Sequence, residues 1–90
     1  MKRYLVETYL ARGATAERVE HDRRARSAAE ELTRESKRVS FDRSIHVPDD
    51  EICFFVFDAP TSRDAALVAE RAGLDPVRIV EAISSQEEDS

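Results

Sequence analysis

The chain has 90 residues, 41% of them hydrophobic and 37% charged, with a net charge of −5 and one cysteine. A chain this short makes one domain, globular in composition, that buries only about 60% of its unfolded surface. The acidic balance excludes the basic face of a nucleic-acid binder. The lone Cys53 excludes an internal disulfide framework and suits a reducing cytoplasm. No apolar run approaches the length of a membrane span, and Met1–Val6 meets Glu7 too soon to supply a signal-peptide core. A cytoplasmic protein with neither membrane nor nucleic acid as partner is expected.

Residues 2–10 read as a strand, apolar on both parities through Tyr4, Leu5, Val6, Tyr9 and Leu10. Gly13 breaks the chain. A long helix is predicted from Thr15, whose hydroxyl would cap it, with Glu17 at the positive end of its dipole. Ala25, Ala28, Ala29 and Leu32 form its thin inner stripe, which turns polar toward Arg18, His21 and Asp22. Residues 37–47 alternate as a half-buried strand. Val39, Phe41, Ile45 and Val47 fall on one side, Ser40, Asp42, Ser44 and His46 on a wet side, and Arg43 breaks the parity. Pro48-Asp49-Asp50 is a turn signal into a third strand, 51–58. Thr61 with Asp64 resembles a capping box for a second helix with Ala65, Val68, Ala69 and Ala72 inward. Gly73 suits a left-handed cap, and Pro76 prevents continuation. Residues 77–83 make a fourth strand. The domain is therefore 1–83, and 84–90 is a predicted disordered acidic tail.

The order βαββαβ predicts an α+β, ferredoxin-like sandwich, a four-stranded antiparallel sheet with both helices on one face. The first and third strands would be central. A sheet covered on one face should alternate. The third strand, Ile52-Cys53-Phe54-Phe55-Val56-Phe57, does not. Something must cover its second face: a second copy, an apolar ligand or another protein. A homodimer packed sheet face to sheet face is the simplest cover, with Phe55, Phe57 and Tyr9 as its expected interface.

Chemistry-bearing residues are few. His21 is either a ligand or a boundary histidine with a hydrogen-bond partner, and His46 faces either a shared cavity or solvent. Glu7 is an acid in an apolar strand and needs a partner or a raised pKa; Arg43 is the candidate counter-charge. Cys53 reads as a small core hydrophobe before a reactive thiol. No CxxC, HxxxH, catalytic serine set or glycine-rich phosphate loop is present. Phe54-Phe55-Val56-Phe57 is placed like the stacking aromatics of an RNA-recognition motif, but the basic-glycine lead-in is missing.

"RYLVETYL", "RSIHVPDDEICFFVFDAP" and "AERAGLDPVRIVEAI" together resemble a family of small actinobacterial domains of unknown function that includes nickel-binding proteins. The resemblance spans most of residues 3–83 and implies a dimeric α+β barrel. It also implies divalent-metal binding, with Glu7 matching an acid of the family's first strand. Val68 stands where some members carry a histidine. Glu7, His21 and His46 are the candidate metal ligands, nickel or another divalent ion the candidate cofactor. The expected function is a non-catalytic homodimer binding a metal or small ligand at the dimer cavity. The alternative is a small cofactor-free, oxygenase-like enzyme with Glu7, Arg43 and His46 lining a pocket as acid/base groups.

Overall fold

The computed structural model describes residues 1–83 and Ser85, so the tail predicted at 84–90 lies, but for Ser85, outside the described residues. Along the chain come β1 (Lys2–Tyr9), α1 (Thr15–Arg34), β2 (Ser40–Val47), β3 (Ile52–Ala59), α2 (Ser62–Arg71) and β4 (Pro76–Ala82). A 3-10 turn, Pro48–Asp50, joins β2 to β3. All strands pair antiparallel in the order β2-β3-β1-β4. This is the ferredoxin-like arrangement, with β1 and β3 central.

The helix ends follow local chemistry. Asp64 N–H donates to Thr61 Oγ1 at 3.2 Å and opens α2. At its far end Gly73 takes φ 71°, and its N–H and that of Leu74 return to Glu70 and Ala69 carbonyls at 3.0 Å. The cap expected from Thr15 is not used: Ala14 holds that place and no side chain caps α1. The other end of α1 closes like α2, with Ser36 N–H on the Thr33 carbonyl and Lys37 N–H on the Leu32 carbonyl at 2.8 Å. Here the left-handed residue is Ser36, φ 72°, where glycine would carry no Cβ penalty. Arg71 of α2 ties the two helices, reaching Glu35 at 2.9 Å and Glu31 at 3.3 Å.

One sheet face carries the core. Tyr4 and Val6 of β1 and Cys53, Phe55, Phe57 and Ala59 of β3 pack beneath Ala25, Ala28, Ala29 and Leu32 of α1 and Ala65, Val68 and Ala69 of α2. Small helix residues leave room for large strand ones. The Phe41 ring lies 5.2 Å from Phe57 and 6.3 Å from Phe55, centroid to centroid. Phe55 and Phe57 are fully buried here, at 0% exposure. This corrects their expected place at a dimer interface: within one chain they have no surface to offer. Tyr9 does reach the surface, 65% exposed.

β2 departs from the predicted alternation. Phe41 pairs with Phe57 and Arg43 with Val56, so Asp42 is an extra residue. Such a bulge shifts every later side chain to the other face. Phe41 therefore points to the core, as do Ser44 and His46 beyond the bulge. Arg43, Ile45 and Val47 point to the open face. Beyond the bulge, the parity predicted to be wet is the inner one.

Ser36→Gly should raise the unfolding free energy by roughly 0.5–1 kcal/mol. The check is urea denaturation, where the midpoint rises with the slope unchanged. A midpoint that stays or falls would show that Ser36 is not strained.

Candidate functional site

Two regions gather chemistry, one on each face of the sheet. On the helix side, the polar first half of α1 lies over the inward residues of β2 and β3. The His21 ring lies tilted against Phe55, ring centroids 6.0 Å apart. Arg18 Nη1 donates to Asp22 Oδ2 at 3.2 Å, and Thr8 Oγ1 donates to the Cys53 carbonyl at 3.0 Å. His21 Nδ1, Asp22 Oδ1 and Ser44 Oγ are buried and make no hydrogen bond to protein. A buried polar atom left so costs about 1–3 kcal/mol, so these are the atoms that gain most from a small polar guest.

His21 also borders a cavity of about 270 Å³ between the start of α1 and the loop entering β4, with Thr8, Glu17, Leu74 and Asp75 among its walls. Its Nε2 lies 3.8 Å from Glu17 Oε1, one helical turn back. Cys53 is wholly buried. Burial, and then the negative charge of Asp22, push its thiol up to about 11; Arg18 and Ser44 oppose this. Ser44 eases the ionisation although its Oγ makes no full hydrogen bond. The thiol is therefore protonated and inert at neutral pH.

The expected metal and acid/base sets do not assemble. Glu7 pairs with Phe54 and Arg78 across the sheet and faces the open side. Its partner is Arg78, whose Nε donates to Oε1 at 2.8 Å, not Arg43, which contacts Asp42 at 3.3 Å. His46 pairs with buried Cys53, and its Nε2 lies 3.4 Å from the Leu10 carbonyl on the helix side. His21, too, is on the helix side. The sheet thus separates Glu7 from both histidines, and Glu7 and Arg43 from His46. Among the described residues no group of three or more His, Cys, Asp or Glu could hold a metal ion. The Glu7–Arg78 pair escaped sequence reasoning because its members are 71 residues apart.

The open face is read row by row across the strands. Ser40, Asp58, Arg3 and Ala82 form one row; Arg43, Val56, Leu5 and Val80 the next; then Ile45, Phe54, Glu7 and Arg78; then Val47, Ile52 and Tyr9. An apolar diagonal crosses it, with Ile45 47% exposed at the edge and Val56 nearly covered by its neighbours. Its charges are matched. Arg3 meets Asp42 at 3.2 Å and Asp58 at 3.1 Å, Arg78 meets Glu7, and Arg43 meets Asp42.

Neither a protein-family model nor a curated protein matches the chain. The crystal structure of SCO4226 from Streptomyces coelicolor A3(2) is similar, with a TM-score of 0.69 at 20% identity over 92% of this chain and 98% of that one. At that identity the likeness establishes the fold alone. It is a small α+β domain with an open four-stranded sheet. Among the described residues no helix is long and apolar enough to cross a membrane.

The Cys53 shift carries a sign. Between pH 9 and about 11 the unfolded thiol ionises while the folded one keeps its proton. The folded state then binds more protons, so stability falls as pH rises through that window, by at most about 1.4 kcal/mol per pH unit. Denaturation at pH 8.5 and 10.5 should show a larger loss for the natural chain than for Cys53→Ala. Equal losses would remove the buried thiol as the cause.

Proposed function

We propose that the chain acts as a cytoplasmic homodimeric binding protein of the dimeric α+β barrel kind, related to the actinobacterial family its sequence resembles. Two copies pack open face to open face. The observation that carries this reading is the inside-out edge strand. β2 turns Ser44 and His46 toward the helices and sends Ile45 and Val47 outward beside Ile52, Phe54, Val56, Leu5 and Val80. A strand facing water would do the reverse.

Size and charge support a second copy as the cover. Strands of about eight residues at ~3.4 Å each, four abreast at ~4.8 Å, give a footprint of roughly 500 Å² per chain. Two such faces approach the lower range of specific interfaces, about 1,200 Å² in total. The chain carries −5 overall, yet on this face Arg3, Arg43 and Arg78 balance Glu7, Asp42 and Asp58. A second copy meets no net repulsion there. The same pairing leaves no unneutralised basic stripe beside Phe54, which argues against nucleic acid as the partner.

The ligand in this reading is small and polar and sits against His21. A cavity of about 270 Å³ has room for a small molecule of about nine water-sized groups, since one water takes about 30 Å³ in the liquid. The Streptomyces fold likeness agrees with the family resemblance. A bound nickel does not follow from it, because the residues nominated for the metal stand on opposite faces.

Sedimentation of the purified chain at tens of micromolar should give twice the mass of one chain. Phe54→Asp, on the open face, should give a folded monomer with unchanged far-ultraviolet dichroism. Phe55→Asp, in the core, should instead fail to fold. A natural chain that sediments as a monomer sinks the reading.

A further inference from the structure

The second half of α1 and the start of the edge strand β2 enclose a groove of about 670 Å³ on the helix side of the sheet. Its floor is apolar: Val39 and Ala29, both buried, and the half-buried ring of Phe41. Its wall is one line of α1. Arg26, Glu30 and Arg34 stand four residues apart, so they share a helix face in the charge order plus, minus, plus. Thr33 ties wall to floor. Its Oγ1 lies 2.9 Å from the Ala29 carbonyl and 2.9 Å from the Val39 carbonyl, and one hydroxyl proton serves both.

The charges of this wall are unmet. Glutamate four residues before arginine is the favourable order for a pair along a helix. Even so, Glu30 does not pair with Arg34, nor Arg26 with Glu30. Among the described residues these three side chains have no ion pair and no hydrogen bond. Their neighbours do pair: Arg18 meets Asp22 at 3.2 Å, Arg23 meets Glu20, and Arg71 meets Glu35 at 2.9 Å. Arg26 is nonetheless held in place. Its guanidinium lies over the Phe41 ring, 5.1 Å from the centroid. That attraction uses the charge and leaves the N–H donors free.

The complement of such a wall is narrow. A neutral apolar ligand would leave all three charges unmet. A simple amine would meet one carboxylate between two arginines, and an apolar acid would leave Glu30 unanswered. A zwitterion answers both signs. Arg26 and Glu30 are one turn apart, about 6 Å along the helix axis, and an ammonium and a carboxylate joined through one carbon fit between side chains so spaced. An apolar side chain is then left for the floor. The volume lies within the range of small-molecule sites, roughly 300–1,000 Å³.

We propose that this groove binds a free α-amino acid with a large apolar side chain, its carboxylate on Arg26, its ammonium on Glu30 and its side chain against Phe41 and Val39. Arg34 leaves the wall with one positive charge in excess, which draws in carboxylates ahead of amines. Exposed pairs contribute little each, so binding is weak, with a Kd on the order of 1 mM. The groove shares no residue with the His21 cavity and lies on the side away from the proposed dimer, so it is independent of both.

Titration of the isotope-labelled natural chain with L-phenylalanine tests it. Amide signals of residues 26–34 and 39–41 should shift and saturate. 3-Phenylpropionate, which lacks the ammonium, and phenethylamine, which lacks the carboxylate, should each bind about threefold more weakly or worse. Two variants separate the roles. Arg26→Gln should weaken L-phenylalanine and 3-phenylpropionate alike. Glu30→Gln should weaken L-phenylalanine and spare 3-phenylpropionate. Arg63→Gln, on α2 and outside the groove, should change neither. Amide dispersion reports that each variant remains folded. Groove signals that do not saturate below ~20 mM overturn the proposal. So do shifts gathered instead around Thr8, His21 and Leu74, or 3-phenylpropionate binding as tightly as L-phenylalanine.

Discussion

A four-stranded sheet has two faces, and two helices cover only one. Every other feature of this domain answers to that constraint. β3 is central and apolar on both parities, so whichever parity the helices take, the other is left outward. The helices take Cys53, Phe55 and Phe57, because the alanines of α1 and α2 leave room for rings. Ile52, Phe54 and Val56 are then on the open side. The extra residue at Asp42 deepens the asymmetry. Without it, Ile45 and Val47 would join Phe41 under α1, and the edge of the open face would be serine and histidine. One residue of backbone decides whether that edge is wet or greasy.

The same bulge accounts for the polar chemistry under α1. Ser44 and His46 turn inward where the helix stripe has become Arg18, His21 and Asp22. Polar groups on the helix thus meet polar groups on the strand, and a few of their atoms stay unpaired. Buried networks of this kind are costly when half satisfied. His21 among them borders the cavity, where a small ligand would repay that cost. The fold does not choose the ligand; the side chains in the cavity do.

Much of the architecture was readable from residue pattern. The alanine stripe of α1, the Thr61 cap, Gly73 and the Pro48-Asp49-Asp50 turn each follow local rules, and the element order then leaves one sheet topology. What failed was non-local. Nothing in the spelling of SFDRSIHV marks Asp42 as the bulge, although Arg43 out of phase was its trace. Which parity of β3 faces the helices depends on the volumes of residues far away in sequence. Glu7 was rightly singled out as an acid needing a partner, yet that partner, Arg78, enters only through the β1–β4 pairing. Grouping Glu7 with His21 and His46 ignored the thickness of the sheet.

The strand order has a consequence for how the chain is made. β1 is the first strand to leave the ribosome, but its two neighbours are β3 and β4, and its last pairing partner, Ala82, is 79 positions beyond Arg3. Such distant pairings are slow to form. During synthesis Tyr4 and Val6 wait for β3, and the far edge of β1 for β4, before their pairing is complete. β1 is therefore the strand most open to aggregation while the domain is being made, and its cover comes from strands later in the sequence.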